Sequence, residues 1–105
     1  MDEIEGVLAI IDERIPPMPG VYLVCGTRPY YVGASKNMCA RLRQHVRRHT
    51  RAGRMLSENG MTCHVLEIAE DLDWLGSREA IWAHRMHTHQ VVVSFNNWHN
   101  ALRAV

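Results

Sequence analysis

Long apolar runs are missing from this 105-residue chain. None approaches the roughly 20 consecutive apolar residues of a membrane-spanning helix, so no membrane partner is expected. Cysteine is scarce: Cys25, Cys39 and Cys63 are odd in number, widely spaced and contain no CxxC pair. That pattern disfavours a disulfide framework or a thiolate zinc site and predicts reduced, partly buried thiols. The start, Met1-Asp2-Glu3-Ile4-Glu5, is acidic where a secretory signal would be basic, so a cytoplasmic protein is expected. Internal repeats and low-complexity tracts are absent as well. The length and apolar content predict a single domain over residues 1–105 with one core.

Carboxylates are missing from a long internal stretch, and this gap is more informative than the total. The net charge is only +1, yet Ile15 to Ser57 contains no Asp or Glu at all. Arg28, Lys36, Arg41, Arg43, Arg47, Arg48, Arg51 and Arg54 all fall there, with His45 and His49. Acidic residues are gathered before it, at Asp2, Glu3, Glu5, Asp12 and Glu13, and return from Glu58 to Asp73. Such segregation creates a local positive field able to attract a polyanion whatever the sum. A solvated basic helix needs no partner, but the preference for Arg over Lys favours phosphate, whose oxygens match a guanidinium fork two at a time.

The local pattern places these residues on elements. Ile4, Val7, Leu8 and Ile11 recur at helical spacing between Glu3 and Glu13, and Pro16, Pro17 and Pro19 end that helix. Residues 1–16 thus form an N-terminal helix with a proline-rich entry. Gly20 to Cys25 is a β-prone run, Gly26-Thr27-Arg28-Pro29 supplies a turn, and Tyr30 to Gly33 resumes the strand. Together they predict an antiparallel hairpin. Ser35 or Asn37 can cap a following helix that runs to about Thr50. Its Met38, Leu42 and Val46 should face the core, with Arg41, His45 and Arg48 on another stripe. A loop is expected around Gly53 and Gly60, then a third strand from Thr62 to Ile68. Ser77 should cap a last helix from Arg78 to His89 that buries Ile81, Trp82 and Met86. Val91 to Val93 fits a short strand or an extended segment. The fold class is therefore α/β, a small three-stranded antiparallel sheet flanked by helices.

Gly20-Val21-Tyr22, then Tyr31-Val32-Gly33 and, ten residues past Tyr31, Arg41, form an ordered series that resembles the paired motif of GIY-YIG nucleases. The likeness spans about residues 19–96, and motif order with hairpin-then-helix context is what gives it weight. It implies an endonuclease fold that hydrolyses nucleic-acid phosphodiesters, DNA being the expected substrate, with one divalent metal, magnesium or manganese. It further implies that Tyr22 deprotonates or orients water, Tyr31 holds the scissile phosphate, and Arg41 stabilises its charge. His45 falls where some members carry a residue assisting the nucleophile, and Gly33 and Asn96 have supporting positions. Lys36, Arg43, Arg47, Arg48, Arg51 and Arg54 are the expected backbone contacts, which position nucleic acid without reading its sequence. Specificity would then need a homodimer or a partner protein.

The pattern breaks at the metal ligand. The resemblance calls for a glutamate about a dozen residues before Asn96, and His84 stands there. Imidazole is a poor ligand for magnesium and suits manganese, cobalt, nickel or zinc. Three readings follow: a softer metal held by His84, a catalytically impaired binding module, or a shifted register with Glu79 as the carboxylate. Glu79 also suits a helix start, where acidic side chains complement the dipole. His84, His87 and His89 form a further, weakly specified metal group, and Asn96-Asn97 read equally as turn residues. On the phosphate-contact reading, DNA affinity measured by gel retardation falls steeply with salt. About six contacts correspond to roughly a thousandfold loss between about 50 and 200 mM; no retardation at low salt would rule the contacts out.

Overall fold

The structure is a computed structural model, and it describes residues 2–86. Helix α1 spans Glu3–Arg14. The Asp2 carboxylate accepts the Glu5 N–H at 2.7 Å, with Glu3 and Glu5 in the first turn and Arg14 in the last, charges that match the helix dipole. Ile15 leaves the helix in an extended conformation because Pro16 and Pro17 cannot continue it.

Three antiparallel strands follow in the spatial order β2-β1-β3. They are β1 (Gly20–Cys25), β2 (Pro29–Ser35) and β3 (Thr62–Ile68). The hairpin register sets Tyr22 against Gly33 and Val24 against Tyr31, and β3 sets Val65 against Tyr22. Central β1 is covered on both faces, which is why it reads as an almost unbroken apolar run. Tyr22 and Val24 enter one cluster with Ile11, Ile15, Met38, Leu42, Val46, Leu56 and Cys63. Val21, Leu23 and Val32 enter a second with Ala83. The Tyr22 side lies in the larger core, with Tyr22 only 1% exposed.

Helix α2 spans Met38–Arg47 and is capped by Asn37, whose side chain accepts the Ala40 N–H. Ser35, the other candidate cap, bonds through its hydroxyl to the Asn37 backbone instead. Met38, Leu42 and Val46 are fully buried, as their four-residue spacing predicts. The helix stops sooner than expected. His49 takes φ +52°, and the N–H groups of His49 and Thr50 bond back to the carbonyls of Val46 and His45. This pair of bonds around a left-handed residue closes a helix C-terminus, a place usually held by Gly. Thr50 then caps a new helix, α3 (Arg51–Ser57), by accepting the Gly53 N–H.

The predicted loop at Gly53 is therefore helical. A Cβ there would run into the His45 carbonyl and stand 2.8 Å from the Val46 nitrogen. Glycine is kept because α3 presses on the last turn of α2, a contact invisible to local propensity. After β3, Asp71 accepts the Asp73 N–H and opens a 3-10 turn at Leu72–Trp74. It runs directly into α4 (Leu75–Met86), so Ser77 lies inside the helix and does not cap it.

The buried face of α4 is Leu75, Gly76, Glu79, Ala80 and Ala83. Ile81, expected inside, is 38% exposed, while Trp82 and Met86 pack at the margin of the second cluster. Small residues let α4 lie close to the sheet, and that rotates the larger side chains outward. Arg78 makes a bidentate pair with Glu67 of β3, nitrogen to oxygen distances running from 2.6 to 3.0 Å. Trp82 Nε1 donates to the same carboxylate at 3.2 Å. Among the described residues no helix is long and apolar enough to cross a membrane. The expected continuation to His89, the Val91–Val93 segment, Asn96 and Asn97 lie outside the described residues.

Two glycine substitutions separate backbone propensity from packing. Gly6 sits inside α1 with nothing within 4 Å of a built Cβ, so Gly6→Ala should stabilise by about 0.5–1 kcal/mol. Gly53→Ala should destabilise by about 2 kcal/mol, because the methyl group meets backbone. Urea midpoints of the two variants measure both; equal shifts would contradict the α2–α3 contact.

Candidate functional site

Because side chains alternate along a strand, Tyr22 of β1 and Tyr31 of β2 share one face of the hairpin, diagonal across the register. Their ring centroids lie 6.2 Å apart with planes inclined at 31°. Gly33, directly opposite Tyr22, makes this possible. A Cβ at Gly33 would collide with the hydroxyl end of the Tyr22 ring, with Cε2 only 2.7 Å away. Tyr31 in turn meets His45 of α2 edge to face, 5.6 Å between centroids and 70° between planes.

Arg41 lies one helical turn before His45. It is exposed, and its Nη1 donates to Gln44 Oε1. Glu79 comes from α4 and is 9% exposed. The charges of both Arg41 and Glu79 reach Tyr22 and Tyr31. Thus β1, β2 and α2 set Tyr22, Tyr31 and His45 in one row of rings, and the charges of Arg41 on α2 and Glu79 on α4 act on both phenols.

The environment sets protonation. Burial pushes the Tyr22 phenol well above its usual value, with Tyr31 and Glu79 adding to the rise and Arg41 opposing it. Burial and Glu79 raise Tyr31 in the same direction, again against Arg41. Both phenols therefore stay protonated at neutral pH and serve as hydrogen-bond donors. His45 is driven the other way: burial first, then the Arg41 charge, lower it to about 4. Its imidazole is neutral at pH 7, 5% exposed, and able to accept a proton. His45 lies on a different helical stripe from Met38, Leu42 and Val46, as its spacing predicts, yet it is buried with them.

His45 Nδ1 lies 2.6 Å from Thr50 Oγ1, whereas its Nε2 is buried with no hydrogen-bond partner among the described residues. Thr50 was not among the residues singled out from sequence. The available signal was its place three residues before Gly53, the spacing at which a Thr side chain caps a helix.

The other expected residues divide. Lys36, Arg47, Arg48, Arg51 and Arg54 are exposed. Arg43 contacts both Asp12 oxygens at 2.7 Å, so it ties α2 to α1 and its charge is offset there. His84 is exposed and lies five residues beyond Glu79 on α4, about 140° around the helix. His84 contributes to the shift of neither tyrosine. Among the described residues no three His, Cys, Asp or Glu side chains form a group able to hold a metal ion; His87 and His89 lie outside them. All three cysteines are free. Comparison with protein-family models, curated proteins and solved structures finds no match.

The histidine has a stability consequence with a definite sign. Its folded pKa of about 4 lies below the ordinary 6.5, so between these values the unfolded chain binds more protons. Stability is then fully present above about pH 6.5 and lost as pH falls toward 4, by roughly 3 kcal/mol at most. Chemical denaturation across that range should show this slope in the parent and a shallower one in His45→Gln. An identical slope in both proteins would contradict the assignment.

Proposed function

We propose that this chain is a nuclease domain of GIY-YIG type that hydrolyses phosphodiester bonds in nucleic acid, with DNA as the substrate. One observation carries the reading: two phenols and an imidazole form a row of rings on one face of the hairpin, and the charges of a guanidinium and a carboxylate, Arg41 and Glu79, act on both phenols. Phosphodiester hydrolysis needs an oriented water, a proton acceptor, and positive charge where the phosphorus collects negative charge. Exposed Arg41 supplies that charge and can grip phosphate oxygens. Protonated Tyr22 and Tyr31 orient by donation, Tyr31 being the more accessible of the two. Neutral His45 supplies acceptor capacity beside Tyr31.

Glu79 in this reading takes the metal position in place of His84. A single hard carboxylate suits magnesium or manganese, ions that keep several waters and bind the substrate's own phosphate oxygens. Glu79 suits such an ion by its oxygen chemistry, and its charge acts on both phenols, whereas the imidazole of His84 is a poor ligand for magnesium. When bound, the ion supplies Lewis-acid polarisation of the phosphoryl group. Lys36, Arg47, Arg48, Arg51 and Arg54 would hold the sugar-phosphate backbone, and a homodimer or partner would add sequence choice.

A second reading, nucleic-acid binding without hydrolysis, is favoured by the depth of Tyr22, which is 1% exposed. Incubating purified protein with supercoiled and branched DNA in magnesium or manganese separates the two. Arg41→Ala and Glu79→Gln should each lose about a hundredfold or more of the cleavage rate, and His84→Ala should retain it. Cleavage that survives Arg41→Ala, or that depends on His84, would overturn the assignment. Inert protein with salt-sensitive DNA affinity would establish the binding module.

A further inference from the structure

We propose that Thr50 is a positioning residue: its hydroxyl fixes the His45 ring as the Nδ1–H tautomer and leaves Nε2 as a bare acceptor beside Tyr31. The inference deepens the nuclease reading and depends on it only for the catalytic consequence. Thr50 holds His45 twice. Its backbone N–H donates to the His45 carbonyl at 3.1 Å, and its Oγ1 lies 2.6 Å from the His45 ring nitrogen. The same hydroxyl donates toward the His45 carbonyl at 3.3 Å and accepts the Gly53 N–H at 3.2 Å.

A hydroxyl has one proton to give and two lone pairs to fill. All three side-chain contacts are satisfied together in one arrangement: Oγ1–H toward the carbonyl, with Gly53 N–H and His45 Nδ1–H both donating to Oγ1. The opposite tautomer would take the only hydroxyl proton for Nδ1, forfeit the carbonyl contact, and leave an N–H at Nε2. The ring cannot turn away to escape the choice, since it is 5% exposed and sits edge to face against Tyr31. Nε2, with no partner among the described residues, is then the one atom of the ring free to take a proton. Fixing a histidine tautomer through the bond made by its other nitrogen is a general way of assigning its chemical role.

Three features of the α2–α3 corner allow this contact. The left-handed His49 reverses the chain, Gly53 lets α3 approach the His45 carbonyl, and Thr50 is the first residue that can face back onto the α2 turn it has just left.

Long-range nitrogen–proton NMR on the whole chain near neutral pH reads the tautomer directly. The parent and Thr50→Ser should show His45 protonated at Nδ1 and unprotonated at Nε2, and Thr50→Val should give a mixture of the two forms. An Nε2–H form dominating in the parent, which needs no variant to fold, would overturn the proposal, as would a folded Thr50→Val with an unchanged ring. With DNA and magnesium or manganese, Thr50→Val should lower kcat about tenfold or more with KM unchanged, and Thr50→Ser should restore it. Loss confined to KM would also overturn it. If no protein cleaves DNA yet the ring shows the expected tautomer, the nuclease reading fails while the hold of Thr50 on His45 stands.

Discussion

The arrangement depends on a tyrosine ring laid across a glycine. Tyr22 lies over Gly33 because no side chain occupies that point of β2. Any Cβ would push the ring back into a core that is already filled by Ile11, Met38, Leu42 and Val46. With Tyr22 in place, Tyr31 lies beside it and His45 stands against Tyr31, so one backbone vacancy fixes a row of three rings. Aromatic side chains that cover a cross-strand glycine also restore packing which the glycine itself cannot supply.

The same burial that orders these rings sets their chemistry. Removing water disfavours every charged form, so the phenols rise against a nearby arginine and the imidazole falls with its help. The site thus combines protonated donors with a neutral acceptor at physiological pH, next to one exposed cation. Arg41 acts in the same sense on both kinds of group, lowering each pKa: it favours the tyrosinate and disfavours the imidazolium. Burial outweighs it at both tyrosines, and reinforces it at His45.

Cations outside the site are sorted by geometry that charge counting does not contain. Arg43 is drawn to Asp12 and serves the α1–α2 junction. Arg47, Arg48, Arg51 and Arg54 remain exposed around the corner between α2 and α3. A basic segment that looks uniform in sequence is therefore part strut and part surface. Only the exposed part contributes positive charge that is not offset by a neighbouring carboxylate in the way Arg43 is by Asp12.

Where a pattern is local, the chain's own order was enough. The β1 and β3 boundaries follow from runs of β-prone residues, the end of α1 from Pro16 and Pro17, and the buried stripe of α2 from four-residue spacing. The nearness of Tyr22 to Tyr31 was likewise legible, because a hairpin register and alternation decide it. Tertiary packing decided what spacing could not. It covered both faces of β1 and so buried Tyr22, and it turned Gly53 from a loop residue into a helix contact. It started α4 at Leu75 with its small side chains inward, which buried Glu79 and left His84 exposed. Local sequence carries propensity and period, but which face is buried, and which carboxylate's charge acts on which phenol, depends on elements distant in the chain.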